Sequence, residues 1–117
     1  MAGQLAQAQK ESESAVTTGA LALDLWRNHK STNQLAAVQL SDAGDEVTKA
    51  YKGTATLTAG NAADLRHQRT LNAAMTDAIT ALNAAGALVR GVGTDDSPDA
   101  ARQRLIAAVA QLQSANS

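Results

Sequence analysis

Two arginines and a histidine stand close together in the chain and could bind an anion. They are Arg66, His67 and Arg69. Guanidinium and imidazolium groups donate hydrogen bonds to phosphates and carboxylates. The other histidine of the chain, His29, would lie about 35 Å away in a bundle of long helices, so the two imidazoles cannot share a metal ion or a proton. The cluster is therefore a candidate anion site and not a metal centre.

The chain carries no constellation typical of an enzyme. None of its glutamates, Glu11, Glu13 and Glu46, has a histidine three residues later, as a carboxylate-bridged di-iron site requires. No Gly-x-Ser-x-Gly motif occurs, and segment 91–99 has the spacing of neither a phosphate-binding loop nor a calcium loop. The absence of cysteine excludes thiolate metal sites and cysteine nucleophiles. We expect no enzyme activity, catalytic residue, cofactor or metal, and we interpret segment 91–99 as a turn between helices.

The composition favours helices over strands. The 117 residues include 27 alanines and 13 leucines but only 2% aromatic residues, and alanine and leucine are the best helix formers. A formal net charge of -1 gives no concentrated positive field for nucleic acid. No apolar run approaches the roughly 18 to 20 residues of a membrane span. We expect one helical domain over 1–117 that binds no nucleic acid and meets a membrane only through an anchor preceding Met1.

Three breaks divide the helical pattern. At the first, Ser31 and Gln34 have the spacing of a capping box. At the second, Gly60 can end one helix and Asn61 can cap the next. At the third, Ser97 stands as a cap before a proline. The helices are therefore predicted near 3–29, 32–58, 61–90 and 98–115.

Helices 2, 3 and 4 each present a seam of mostly apolar residues at alternating spacings of four and three. On helix 2 these are Ala36, Leu40, Ala43, Val47, Ala50, Thr54 and Leu57. On helix 3 they are Leu71, Met75, Ala78, Leu82, Ala85 and Val89, and on helix 4 Ala101, Leu105, Ala108, Leu112 and Ala115. Alternating large and small side chains favour close packing. With short connections this predicts an all-α, antiparallel up-down-up-down four-helix bundle; the alternative is a pair of helical hairpins that complete their core only by dimerising.

Residues 20–26 of helix 1 are apolar on almost every side. Leu21 and Leu25 point roughly 160° to 200° away from Leu23, so one face can meet the bundle and the other needs a different cover. Trp26 could anchor a contact, since tryptophan is enriched at the centres of interfaces. Leu21, Leu25 and Trp26 are the candidate interface for a protein partner or a second copy. The alternatives are that helix 1 buries both faces within one monomer and that Trp26 plugs the end of the bundle.

The candidate anion site would lie at one end of the bundle. The last turns of helix 2, with Tyr51, should meet the first turns of helix 3 there, and helix 4 is too short to reach it. Tyr51, Arg66, His67 and Arg69 would then line an open groove. The alternative is a solvated helix start whose basic groups pair with nearby acids, namely Asp64, Glu11 or Glu13. The sequence thus favours a non-enzymatic protein-interaction module of unknown specific role; the alternative is an extracytoplasmic sensor or binding domain for a small anionic ligand or lipid headgroup.

Two stretches carry a resemblance to other proteins. Ser14-Ala15-Val16-Thr17-Thr18 leads into residues 20–26, and Leu40-Ser41-Asp42-Ala43 is followed by Asp45-Glu46-Val47. In these stretches the chain resembles uncharacterised exported or lipid-anchored alanine-rich helical proteins of high-GC Gram-positive bacteria. The resemblance covers helices 1 and 2 and implies an extracytoplasmic domain whose anchor precedes Met1, without a known activity or site residues. It favours the cell envelope over the cytoplasm.

Overall fold

Four α-helices, each antiparallel to the one before it, form a bundle. The computed structural model describes residues 1–92 and 97–115 and measures 48 × 22 × 20 Å. The helices are α1 (Ala2–Arg27), α2 (Asn33–Ala55), α3 (Ala62–Arg90) and α4 (Pro98–Ser114). Each packs against its two neighbours around the bundle, and α1 also approaches α3 across the centre, whereas no Cα atom in the described part of α2 lies within 8 Å of one in α4. The predicted all-α, up-down-up-down four-helix bundle is confirmed.

The helix starts at the second and third breaks have the predicted caps, Asn61 and Ser97. α3 ends on Gly91, whose φ of 70° is the left-handed conformation that glycine adopts without strain. At the start of α4 the hydroxyl of Ser97 accepts a hydrogen bond from the backbone N–H of Ala100 (3.1 Å). At the start of α3 the side chain of Asn61 accepts one from the N–H of Asp64 (2.8 Å). The side chains of Ser97 and Asn61 each satisfy an amide that a helix start leaves unpaired.

The first break is capped one residue later than predicted. The cap is Thr32, whose hydroxyl accepts from the N–H of Leu35 (3.0 Å), so the prediction of Ser31 as cap was wrong. Asn33 is the first residue of α2, and its side-chain oxygen accepts the indole N–H of Trp26 at 2.6 Å. This bond ties the start of α2 to the end of α1.

α2 also ends earlier than predicted, at Ala55. Gly60 does not cap it, because its φ is not positive, and that prediction was wrong. Gln68 of α3 donates its side-chain amide to the backbone carbonyls of Thr54 (2.7 Å) and Leu57 (2.9 Å) instead. The first bond reaches a carbonyl in the last turn of α2 and the second a carbonyl just beyond it, so together they hold the chain after α2 against α3.

The predicted seams of α2, α3 and α4 form most of the core. Every seam residue of α3 and α4 is buried. On α2 the seam residues between Ala36 and Thr54 are buried, and the last seam residue, Leu57, is partly buried against the core. Because alanine alternates with leucine, valine or methionine along the seams, neighbouring helices approach closely without leaving large voids.

The inner face of α1 contains both apolar and polar residues, and the apolar pattern of the sequence does not predict it. Its fully buried large apolar residues are Leu5, Val16 and Leu23. Gln9 lies among them, 6% exposed, and its side-chain amide donates to the carbonyl of Leu112 at 2.9 Å. Ser12 is also fully buried, and its hydroxyl has no hydrogen-bond partner among the described residues. Polar groups inside the bundle therefore weaken the apolar period of α1.

Gly19 of α1 is buried and faces core side chains of α2 and α3. A methyl group added there would lie 2.6 Å from Cδ2 of Leu82 on α3 and 3.4 Å from Cδ2 of Leu40 on α2. The first distance is far below van der Waals contact between carbon atoms. Glycine at this position therefore allows α1 and α3 to meet across the bundle.

Candidate functional site

The structure separates the three residues predicted to form an interface. Leu21 is 59% exposed, and Leu25, one helical turn later, is half-buried. Trp26 packs against the core and donates its indole N–H to Asn33. Trp26 therefore closes the end of the bundle, and Leu21 and Leu25 remain at the surface.

A groove of about 550 Å³ runs along the outer side of α1 and α2. Its floor includes two small core residues, Ala15 and Ala43. A second hollow of about 490 Å³ shares Gln7 and Glu11 with it and continues toward the start of α1. The two helices thus leave a long open channel between their outer faces.

The exposed leucines extend the walls of this groove. On α1 the wall follows spacings of four, three and four through Ser14, Thr18, Leu21 and Leu25. On α2 the same spacings run through Leu35, Gln39, Asp42 and Glu46. Ser14, Thr18, Gln39, Asp42 and Glu46 line the groove. Residues at these spacings share one side of a helix, so the apolar residues stand in line with the groove. The α1–α2 face, as used below, is this groove together with Leu21, Leu25, Leu35 and Val38.

Large exposed apolar side chains are concentrated on the α1–α2 face. Leu21, Leu35 and Val38 are 59%, 51% and 56% exposed. The other three in the described part of the chain lie on different elements: Leu65, Val92 and Ile106. Single exposed apolar residues are ordinary, whereas a group beside a groove is typical of a binding surface. Leu21 and Leu25 were predicted from the sequence, whereas Leu35 and Val38 were not; their signal is an apolar i, i+3 pair outside the seam of α2.

Carboxylates dominate the charge of the groove. Its ionisable lining residues are Glu11, Asp42, Glu46 and Lys10. Neither Asp42 nor Glu46 has an ion pair with any described residue. By contrast, Asp24 on α1 accepts a hydrogen bond from Nε of Arg102 at 2.8 Å, and Asp99 pairs with Arg27. The groove is left with a net negative charge facing solvent.

The structure does not bring the candidate anion-binding residues into one site. Arg66 and Arg69 are exposed and form no ion pair with Asp64, the nearest predicted acid. His67 is half-buried, and its Nε2 is buried without a hydrogen-bond partner among the described residues. Successive residues differ by about 100° around a helix, so His67 points nearly opposite to Arg69. Tyr51 is half-buried against the core.

Other chemical features are few in the described ranges, 1–92 and 97–115. No group of three or more histidine, cysteine, aspartate or glutamate residues there could hold a metal ion. No described helix combines the length and the hydropathy needed to cross a membrane. Part of the predicted turn over 91–99, residues 93–96, lies outside the described residues.

The site is therefore defined by its geometry alone. Comparison with known proteins finds no matching family model, no similar curated protein and no similar solved structure.

Proposed function

We propose that the protein is a non-enzymatic helical-bundle module that acts by binding another protein chain through the α1–α2 face. The observation that carries this proposal is the alignment of Leu21 and Leu35, both more than half exposed, with the two walls of one groove. Exposed apolar groups beside a groove with polar rims mark protein-binding surfaces. A groove between two helices is also a common seat for a helix of a partner.

The anionic-ligand alternative has narrower support. Arg66 and Arg69 are both exposed and lie three residues apart on one side of α3, so they could contact one anion. His67 points nearly opposite to Arg69 and Tyr51 is packed against the core, so the candidate site reduces to two solvated guanidinium groups. Such exposed groups bind anions weakly and with little selectivity.

Photo-crosslinking in the cells that naturally make the protein tests the proposed function. With benzoylphenylalanine in place of Leu21, we expect a discrete covalent adduct, whose mass tells another protein from a second copy of the chain. The same group in place of Ile106, which is 42% exposed on α4, should give no such adduct. Adding Val38→Asp should remove the adduct at position 21, because a charge in the apolar end opposes burial.

Two results would contradict the proposed function. One is the absence of any adduct from position 21, and the other is the same set of adducts from positions 21 and 106. Circular dichroism of each variant, which should match the helical spectrum of the wild type, excludes unfolding as the reason for a lost adduct.

A further inference from the structure

We propose that the occupant of the α1–α2 face is an amphipathic helix of a partner protein, apolar at one end and carrying lysine or arginine along the rest of the same side. This inference rests on the proposed function and names the chemistry of its partner. Three properties of the face support it: its length, its shallow floor and its charge.

The dimensions of the face fit one helix. The α1 wall from Gln7 to Leu25 is about 27 Å long at 1.5 Å per residue. Ala15 and Ala43 in the floor are 8% and 5% exposed, so only methyl groups separate a bound helix from the bundle. Small residues at a contact permit helix axes at the close end of the usual 8 to 10 Å. A helix of about 18 residues would therefore cover the groove and its apolar end together.

The charges select a basic partner. Asp42 and Glu46 lie four residues apart, so their carboxylates follow one another along the α2 wall. Neither forms an ion pair with another described residue, and Lys10 is the one basic residue among the groove's lining residues, against three carboxylates. Basic side chains at the same spacing on a partner helix would oppose both carboxylates, while leucines at its other end would cover Leu21 and Leu35. Such complementarity fixes the register of a complex and speeds association.

A second copy of the chain fits this face poorly. In a two-fold dimer centred on the groove, the region holding Asp42 and Glu46 meets its own copy, which brings four carboxylates together. Like charges opposed in this way cost several kcal/mol. A dimer centred instead on the apolar end would leave the acidic groove uncovered. The chemistry of the face therefore favours a different chain with positive charge.

Fluorescence anisotropy with a synthetic probe tests this inference on the full-length protein. The probe is a labelled helical peptide of about 18 residues with leucines on one side of its first half and lysines on the same side of its second half. We expect saturable binding that weakens as salt is added. A peptide with glutamate in place of each lysine should bind at least about tenfold more weakly.

Matched charge variants locate the bound probe. Asp42→Asn with Glu46→Gln should weaken binding of the lysine probe by about tenfold without disturbing the fold, because both side chains are exposed. Asp77→Asn removes one carboxylate from the groove between α3 and α4 and should change the affinity less than about twofold. The inference is overturned if the lysine probe does not bind, or if the two sets of substitutions weaken it equally.

The outcome separates this inference from the proposed function. If benzoylphenylalanine at position 21 gives its specific adduct in cells while the lysine probe fails, the protein binds a partner that is not a basic helix. If no adduct forms, the face is not an interaction surface and the proposed function itself fails. Probe binding that is lost in the Asp42→Asn, Glu46→Gln variant, together with the adduct, supports both.

Discussion

Replacing Gly19 with valine should lower the free energy of unfolding by about 3 kcal/mol, the upper part of the range for overpacked cores. Even one added methyl group would lie 2.6 Å from Cδ2 of Leu82, and because Leu82 is buried in the core cluster, its side chain can move away only by repacking its neighbours. Valine adds two further methyl groups at the same point. The better helix propensity of valine offsets only a few tenths of a kcal/mol. Thermal denaturation followed by circular dichroism should show a midpoint roughly 10 °C lower.

Gly44 provides the matched control for Gly19. It is also a buried glycine in the middle of a helix, but its nearest neighbour for an added methyl group is Oδ1 of Asn83 at an ordinary 3.7 Å. Gly44→Ala should therefore stabilise the protein by about 0.5 to 1 kcal/mol through helix propensity alone. If Gly19→Val proved as stable as the wild type, the close contact of α1 with α3 would be contradicted.

Gln68→Leu should cost about 2 kcal/mol of stability. Leucine has a side chain of similar size to glutamine, which suits this buried position (6% exposed), but it donates no hydrogen bond. The carbonyl of Leu57 would lose its donor, and that of Thr54 would keep only backbone donors, among them the N–H of Leu57 at 3.2 Å. A buried acceptor without a partner carries a desolvation cost of about 1 to 3 kcal/mol. Urea denaturation of the two proteins measures the difference.

Hydrogen exchange gives a local readout of the same substitution. Because Gln68 holds the chain after α2, amides of residues 54–60 should exchange faster in Gln68→Leu, while those in the middle of α4 change little. Gln103→Leu removes an amide from an exposed position of α4 and should alter stability by less than about 0.5 kcal/mol. Equal stability of Gln68→Leu and the wild type would show that water replaces both hydrogen bonds at no cost.

The fold could be predicted from the sequence where the apolar pattern is regular. The seams of α3 and α4 are buried as predicted because alanine and leucine recur there without interruption. The inner face of α1 could not be predicted in this way, since it includes Gln9 and Ser12. Gln9 is tolerated inside because Leu112 of α4 offers a carbonyl, a partner that periodicity along α1 does not reveal.

The candidate site could be predicted only in part from the sequence. Leu21 and Leu25 stand out within an apolar run, but their alignment with Leu35 on the other wall depends on how α1 and α2 are juxtaposed. Trp26 faces the core because Asn33 accepts its indole N–H. Similarly, sequence neighbours such as Arg66 and His67 are separated around the helix by about 100°. Residues that are close together in the sequence therefore do not form one site here.

A partner should cover the α1–α2 face in the cell, and cysteine labelling measures that cover directly. Since the chain has no cysteine, single substitutions give unambiguous positions: Thr18→Cys in the groove, Val38→Cys at the apolar end and Ile106→Cys on α4 as the control. In the purified protein all three should react with a permeant maleimide at similar rates, because all three sites are exposed. In the native cells we predict that positions 18 and 38 react about tenfold more slowly than position 106, as burial under a partner requires. Equal protection at all three positions, or the same relative rates in cells as in the purified protein, would show that no partner covers the α1–α2 face.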